Sequence, residues 1–263
     1  DYILVLGVDN FISPMGVKGA AWASVISQIL MTILCIIFYL SKTPFNFKIR
    51  YKLNPFFKEM ILIFMNMFVR TMVLNFVFII SNRYANSYGS NSLAAYTIGY
   101  NIWIFSAFFI DGYSNAGNAL AGKYMGEKNN EKLKKLGNTL LKINIKIALV
   151  LMTIYTLLYP FIGKVFNSNG NVIEIFENIF WIVILAQPFN SIAFTFDGIF
   201  KGLGKAVDLR NTLIIGTFLF FIPTIYLLDL MIPQLISVWI ALSIWMLYRG
   251  ISLLVKFRKI VNS

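Results

Sequence analysis

Residues 60–80 read Met-Ile-Leu-Ile-Phe-Met-Asn-Met-Phe-Val-Arg-Thr-Met-Val-Leu-Asn-Phe-Val-Phe-Ile-Ile, with a single charge at Arg70. An α-helix needs about 20 such residues to cross roughly 30 Å of hydrocarbon. The same character runs through seven stretches in all: 20–40, 57–80, 93–120, 139–162, 172–200, 213–230 and 235–255. Helices that are apolar all round are not the surface helices of a soluble domain. The expected fold is therefore an all-α polytopic membrane protein with seven transmembrane helices.

Composition agrees. The chain has 263 residues, 58% of them hydrophobic, and a mean hydropathy of +0.73. These values belong to the membrane class. The first residue is Asp1 and no signal-peptide pattern precedes the first span, so the chain reads as a piece of a longer protein. An odd number of spans points the same way.

The net charge of +12 would suit nucleic acid, but its placement argues otherwise. Of 23 Lys and Arg, 16 gather in alternate loops and the tail, within 42–58, 123–135, 201–210 and 256–259. This is the positive-inside asymmetry. It predicts that those loops and the C-terminus face the cytoplasm, and no nucleic-acid partner is expected. There is one cysteine, Cys35, and no histidine. A disulfide framework within the chain, a Cys-rich metal site, an HExxH zinc site and a Ser-His-Asp triad are all excluded. Neither enzymatic activity nor a cofactor is expected.

Residues 1–18 read as an external connection. The segment from Ser41 to Lys58 is basic, broken by Pro44 and Pro55, and leaves one span before it and six after. It reads either as a surface-lying segment or as a solvated connector. The expected organisation is 1–40 as a connection and one orphan helix, 41–56 as a cytoplasmic linker, and 57–263 as a six-helix unit. Pro188 and Pro223 should bend the fifth and sixth spans. Residues 113–122 are small and polar, suited to face other helices or a water-filled cavity.

Three ionisable residues lie inside spans: Arg70, Asp111 and Asp197. Each costs at least ~2.5–3.5 kcal/mol at a helix centre. Arg70 lies roughly a dozen residues, ~18 Å at 1.5 Å per residue, from the external end of its span. That is near the midplane. The functional reading is a charge network lining a pathway, with Asp111 and Asp197 as cation-linked carboxylates and Arg70 as their partner. The bland reading is a static Arg70–Asp111 pair that locks two helices. Asn66 and Asn75 are further intramembrane amides, and Asn101, Asn115, Asn118, Gln187 and Asn190 are the candidates for contact with a substrate. Among the 25 Phe, 13 Tyr and 5 Trp, a subset could line a cavity for organic compounds through stacking and cation–π contact.

Five segments in order resemble the MATE family of multidrug and toxic-compound extrusion transporters, in its DinF-like branch. Residues 16–24, Gly-Val-Lys-Gly-Ala-Ala-Trp-Ala-Ser, resemble the Gly-x-x-Gly-Ala-Ala start of the family's sixth helix. Val69-Arg70-Thr71 resembles the branch's seventh helix. Residues 92–98, Ser-Leu-Ala-Ala-Tyr-Thr-Ile, resemble the start of the eighth, with Tyr96 where His is usual. Residues 109–113 followed by 121–126 resemble its Leu-Asp-Gly and Gly-x-x-x-Gly elements. Residues 187–190 with 196–204 resemble the tenth.

The resemblance implies helices six to twelve of a twelve-helix antiporter: one orphan helix of an N-terminal lobe plus a six-helix C-terminal lobe. It implies exchange of H⁺ or Na⁺ for organic compounds by alternating access in a bacterial inner membrane. The partners are then membrane lipid, a small organic substrate and the missing N-terminal lobe. Asp197 matches a carboxylate implicated in cation binding in sodium-coupled relatives. Those relatives carry a glutamate about where this chain has Arg70, a departure that favours H⁺. A lipid-linked saccharide flippase of the wider superfamily is the nearer alternative. It should have a strongly cationic interior, whereas only Arg70 reads as deep and basic. A membrane-embedded enzyme and a non-transporting scaffold are more distant.

Overall fold

The computed structural model describes residues 2–7, 13–42 and 55–262. Asp9 and most of the 41–56 linker lie outside the described residues. Within them every regular element is helical: α1 (Tyr2–Leu6), α2 (Gly16–Lys42), α3 (Phe57–Ser87), α4 (Ser90–Gly126), α5 (Asn130–Phe166), α6 (Gly170–Gly202), α7 (Ala206–Ile215), a π-helical segment (Gly216–Phe221), α8 (Ile222–Met231) and α9 (Leu235–Asn262). Seven spans in this set are long and apolar enough to cross a membrane, α7 to α8 counting as one. The protein is a multi-pass membrane protein.

The helices outrun the apolar stretches because their polar flanks are also good helix formers. The stretch at 139–162 becomes α5 by continuing backwards through Lys135, Lys134 and Lys132 to Asn130. The Asn129 side chain stops it there by accepting from the Lys132 N–H at 2.9 Å.

Close packing divides the chain into Asp1–Pro55 and Phe56–Ser263. In the first unit the Met15 N–H donates to the Leu4 carbonyl at 3.2 Å, folding α1 back on the start of α2. The second unit is a bundle of six spans joined by short turns, so successive spans run antiparallel. Large apolar side chains such as Phe64, Phe108, Leu157 and Leu219 cover its outside, exposed as lipid-facing groups would be.

The bundle is organised around α6, which packs on α4, α5 and α9. Phe176, Phe180, Phe196 and Phe200 of α6 are all buried. Backbone contact between α4 and α6 depends on glycine. A Cβ on Gly198 would lie 2.6 Å from the Ser114 carbonyl oxygen, and one on Gly202 would lie 2.1 Å from that of Asn118. These two glycines, one turn apart, form a small-xxx-small contact of the kind that joins helices in lipid. The Gly122–Gly126 repeat contributes less: Gly126 faces open space.

The two expected kinks differ in form. Pro188 sits inside an uninterrupted α6. Ahead of Pro223 the ladder shifts register, and the Ile222 N–H donates to the Thr217 carbonyl five residues back. A proline lacks the donor its own ladder position requires, and a π segment one turn earlier absorbs the mismatch. Pro160 lies within α5 in the same way as Pro188 in α6.

Gly202→Ala should force α4 and α6 apart and cost about 1–3 kcal/mol, as overpacking does. Gly112→Ala, where nothing lies within 4 Å, should be neutral. Thermal unfolding of the purified protein in detergent separates the two.

Candidate functional site

Asp197 lies five residues before the end of α6, with a side chain only 7% exposed. An ionised carboxylate there needs partners, because burying an unpaired charge costs several kcal/mol. Three elements deliver cations to it. From α3, Arg70 Nη2 donates to both carboxylate oxygens at 2.7 Å. From the next turn of α6, Lys201 Nζ lies 2.9 Å from Oδ2. From α9, Arg249 Nη2 lies 3.5 Å from Oδ1. Arg249 is held by Met246 Sδ at 3.1 Å and by the Trp245 ring, whose centroid is 4.6 Å from the guanidinium carbon.

Further polar contacts tie the surrounding helices to one another. One turn before Arg70, Asn66 accepts from Arg210 of α7, which braces α3 against α7. Lys256 of α9 reaches Asp208 and Thr212 of α7, each at 3.1 Å. On the other side of α6, Asn144 of α5 donates to Ser114 Oγ of α4 at 3.2 Å and to Thr195 Oγ1 of α6 at 2.7 Å. Asn144 is fully buried and ties three helices at one point.

Of the two carboxylates given Arg70 as partner, Arg70 pairs with Asp197, and the static Arg70–Asp111 pair of the bland reading does not form. Among the described residues Asp111 has no ion pair within 4.0 Å. The reason lies in solvation. Asp197 sits on the central helix and cannot reach water, so the cations converge on it. Asp111 is half-buried, so its carboxylate is not enclosed as that of Asp197 is. Its electrostatic neighbours are Lys201, Asp197, Arg249 and Arg70, so it borders the cluster without joining it.

Sequence reasoning missed Arg249, which is 2% exposed. The signal was present, since a lone base in the middle of the 235–255 stretch is as anomalous as Arg70. Lys201 and Asn144 were also outside the expected set. The five amides proposed for substrate contact fall in three places. Asn101 lines a groove of about 640 Å³ between α3 and α4, with Phe78, Asn82, Arg83, Tyr96 and Tyr100. Asn115 and Asn118 lie further along α4, exposed and half-buried. Gln187 and Asn190 are buried in α6 at 0% and 1% exposure.

At the opposite end of the bundle, the Tyr88 hydroxyl donates to Asp229 and lies 3.2 Å from Ser237 Oγ. Burial, and then the bond to Asp229, push this phenol up to about 12. It therefore stays a donor throughout the physiological range and ties the α3–α4 turn to the end of α8 and the start of α9.

A lobe of membrane-length helices closed around a buried ion cluster defines a polytopic membrane protein whose few charges are concentrated at one internal site. The chain belongs to the MatE family, whose model matches residues 67–227. It is 27% identical to Protein DETOXIFICATION 43 of Arabidopsis thaliana, covering 92% of this chain and 45% of that protein. It is 24% identical to DNA damage-inducible protein F of Escherichia coli (strain K12), covering 98% of this chain and 56% of that one. The fold is that of the crystal structure of MATE in complex with MaL6, with a TM-score of 0.84 at 20% identity, over 99% of this chain and 59% of that one. The chain thus spans about half the length of the relatives it matches. The flippase alternative differs in calling for a strongly cationic interior; Arg249 adds a second deep base beside Arg70, and the family match does not favour that alternative.

Asp197→Ala should leave three cations without their counter-charge and cost about 3–5 kcal/mol, the range for breaking a buried pair. Lys201 is one-third exposed, so Lys201→Met should cost less than about 1 kcal/mol. Unfolding of the two variants in detergent measures both.

Proposed function

We propose that this chain is the last helix of one lobe, a linker and the six-helix second lobe of a twelve-helix antiporter. The whole protein exports organic compounds across a bacterial plasma membrane by alternating access, with its C-terminus in the cytoplasm. One relative is named Multidrug export protein MepA, from Staphylococcus aureus (strain MSSA476). Two lobes rocking about a shared site are what alternating access requires, and a chain half as long as its relatives supplies one of them.

The observation that carries the reading is Asp111: a half-buried carboxylate, without an ion pair among the described residues, inside a membrane span beside a buried cationic cluster. Such a group can exchange a proton with water while its charge is felt by Arg70, Lys201 and Arg249. Asp197, the other expected cation-linked carboxylate, has both oxygens engaged by cations at 2.7–3.5 Å. It offers an arriving sodium ion no free face. The coupling ion in this reading is H⁺, with Asp111 as carrier and Asp197 as the fixed centre that holds Arg70 in place.

Cargo binds in this account at the groove between α3 and α4. A volume of about 640 Å³ falls within the range of drug-sized sites. Phe78, Tyr96 and Tyr100 offer aromatic faces, and Asn82 and Asn101 offer amides that fix orientation.

In vesicles containing the full-length protein, Asp111→Asn should lower pH-driven efflux at least tenfold, with cargo binding retained. Exchanging sodium for potassium should leave the rate unchanged. Tyr100→Ala and Asn101→Ala should raise KM several-fold and leave the pH dependence alone. Full pH-driven efflux by both Asp111→Asn and Asp197→Asn would refute the assignment.

A further inference from the structure

We propose that the lysine face of α5 is a docking surface for anionic phospholipid, with a headgroup phosphate seated between Lys142 and Lys146. Lys132, Lys135, Lys142 and Lys146 follow one another at intervals of three, seven and four residues, which places them on one face of the helix. All four are exposed. The opposite face, with Leu133, Gly137, Leu140, Asn144 and Ala148, is buried against the lobe. Lys132 is engaged by Glu127 at 3.3 Å and lies over the Tyr124 ring. Among the described residues no carboxylate comes within 4.0 Å of Lys135, Lys142 or Lys146. The one carboxylate of α5 itself is Glu131, which lies roughly 16 Å along the axis before Lys142. Lys142 and Lys146 are one turn apart, so their charges repel unless an anion lies between them. Thr139, exposed on the same face, adds a hydroxyl donor.

Depth along the helix favours a lipid as the source of that phosphate. Beyond Lys146 the outward positions of α5 include Leu149, Val150, Leu157 and Phe161, all exposed. The hydroxyls of Thr153 and Thr156 are turned back onto carbonyls of their own helix at 2.9 and 2.8 Å. The next cation is Lys164. From Lys146 to Lys164 the helix rises ~27 Å, close to the ~30 Å of a hydrocarbon core. The two lysines therefore bracket the hydrocarbon, as lysines with an apolar stem and a charged tip do at a membrane edge. A cation facing hydrocarbon is expensive, and a phosphate at that edge supplies its counter-charge. Lys142 stands ~6 Å further out than Lys146, within the headgroup layer, which is about 5–8 Å deep on each side. Lys135 and Lys132, another ~10–15 Å along, stand in water and add to the attraction for an anionic surface. This end of α5 is the one that meets the end of α9, where Lys134 Nζ reaches Asn262 Oδ1 at 3.1 Å.

The test uses the purified full-length protein in a non-ionic detergent and reads stability, so it stands or falls independently of transport. Phosphatidylglycerol, phosphatidylcholine or inorganic phosphate is added in increasing amounts. Phosphatidylglycerol should give a saturable rise in Tm of a few degrees, weakened by salt. Phosphatidylcholine and inorganic phosphate should give none. Lys142→Gln and Lys146→Gln should each raise the phosphatidylglycerol concentration at half-effect about fivefold, the contribution of one lysine near an anionic surface. The double variant should lose the response. Arg258→Gln/Lys259→Gln removes two exposed charges at the same end of the lobe and should keep it. All of these are exposed positions, so the variants should fold. Equal responses to the two lipids, or a response to inorganic phosphate that matches the one to phosphatidylglycerol, overturns the inference. So does a full response in the Lys142/Lys146 double variant, or an equal loss in the Arg258/Lys259 one. Resistance of Lys142 and Lys146 to acetylation in lipid-free detergent overturns it as well, because the face would then be covered by the rest of the protein.

Discussion

Everything in the six-helix lobe is arranged around the need to keep one carboxylate ionised out of water. Asp197 is affordable only because α3, α6 and α9 each present a cation to it, and those helices can do so only in one arrangement. The ion cluster is thus a positional constraint as much as an electrostatic one. Arg70 and Asp197 are 127 residues apart in sequence, so their contact forms only when the first and fourth spans of the lobe have found their places. Polar anchors at Asn66, Asn144 and Lys256 hold the surrounding helices in the same arrangement. Apolar burial alone, which is non-directional, would not select it, still less in lipid, where the hydrophobic drive between helices is absent.

The backbone follows from the same requirement. Gly198 and Gly202 let α6 lie directly on α4, which brings Asp111 to the border of the cluster without bringing it into contact. The difference between the two aspartates, one locked and one half-buried, is set by this helix packing rather than by their local sequence. Both precede a glycine, at Gly112 and Gly198. A π segment ahead of Pro223 supplies a second irregularity, next to Trp245 and Tyr248 across Gly216. Irregular backbone of this kind is tolerated at membrane depth where it is enclosed by protein.

Much of the fold was legible in the sequence because hydrocarbon imposes a length and a composition on each span. The seven spans and the one-plus-six spacing around the basic segment come directly from that constraint, and the family resemblance rests on motifs that stand in linear order. Which of the two carboxylates would take Arg70 was not legible, since helix pairing depends on which faces meet, and hydropathy is silent about faces. Asn101 and Asn190 read alike in sequence, yet one lines a groove and the other is sealed inside the core, because burial is a tertiary property. Arg249 is a different case. Its anomaly was open to the same reasoning that found Arg70, and it was passed over because it falls between the loop charges and the three ions singled out. The bend at Pro223 followed from its missing donor, whereas its relief as a π turn rather than a simple kink is decided by the neighbouring helices.

In the proposed cycle Asp111 exchanges a proton while Asp197 remains a fixed anion. Infrared difference spectroscopy on the full-length protein, recorded as the pH is lowered, tests it most directly through the stretch of a protonated carboxyl group. Such a band should appear, be missing in Asp111→Asn and persist in Asp197→Asn. A band that survives in Asp111→Asn and disappears in Asp197→Asn would contradict it.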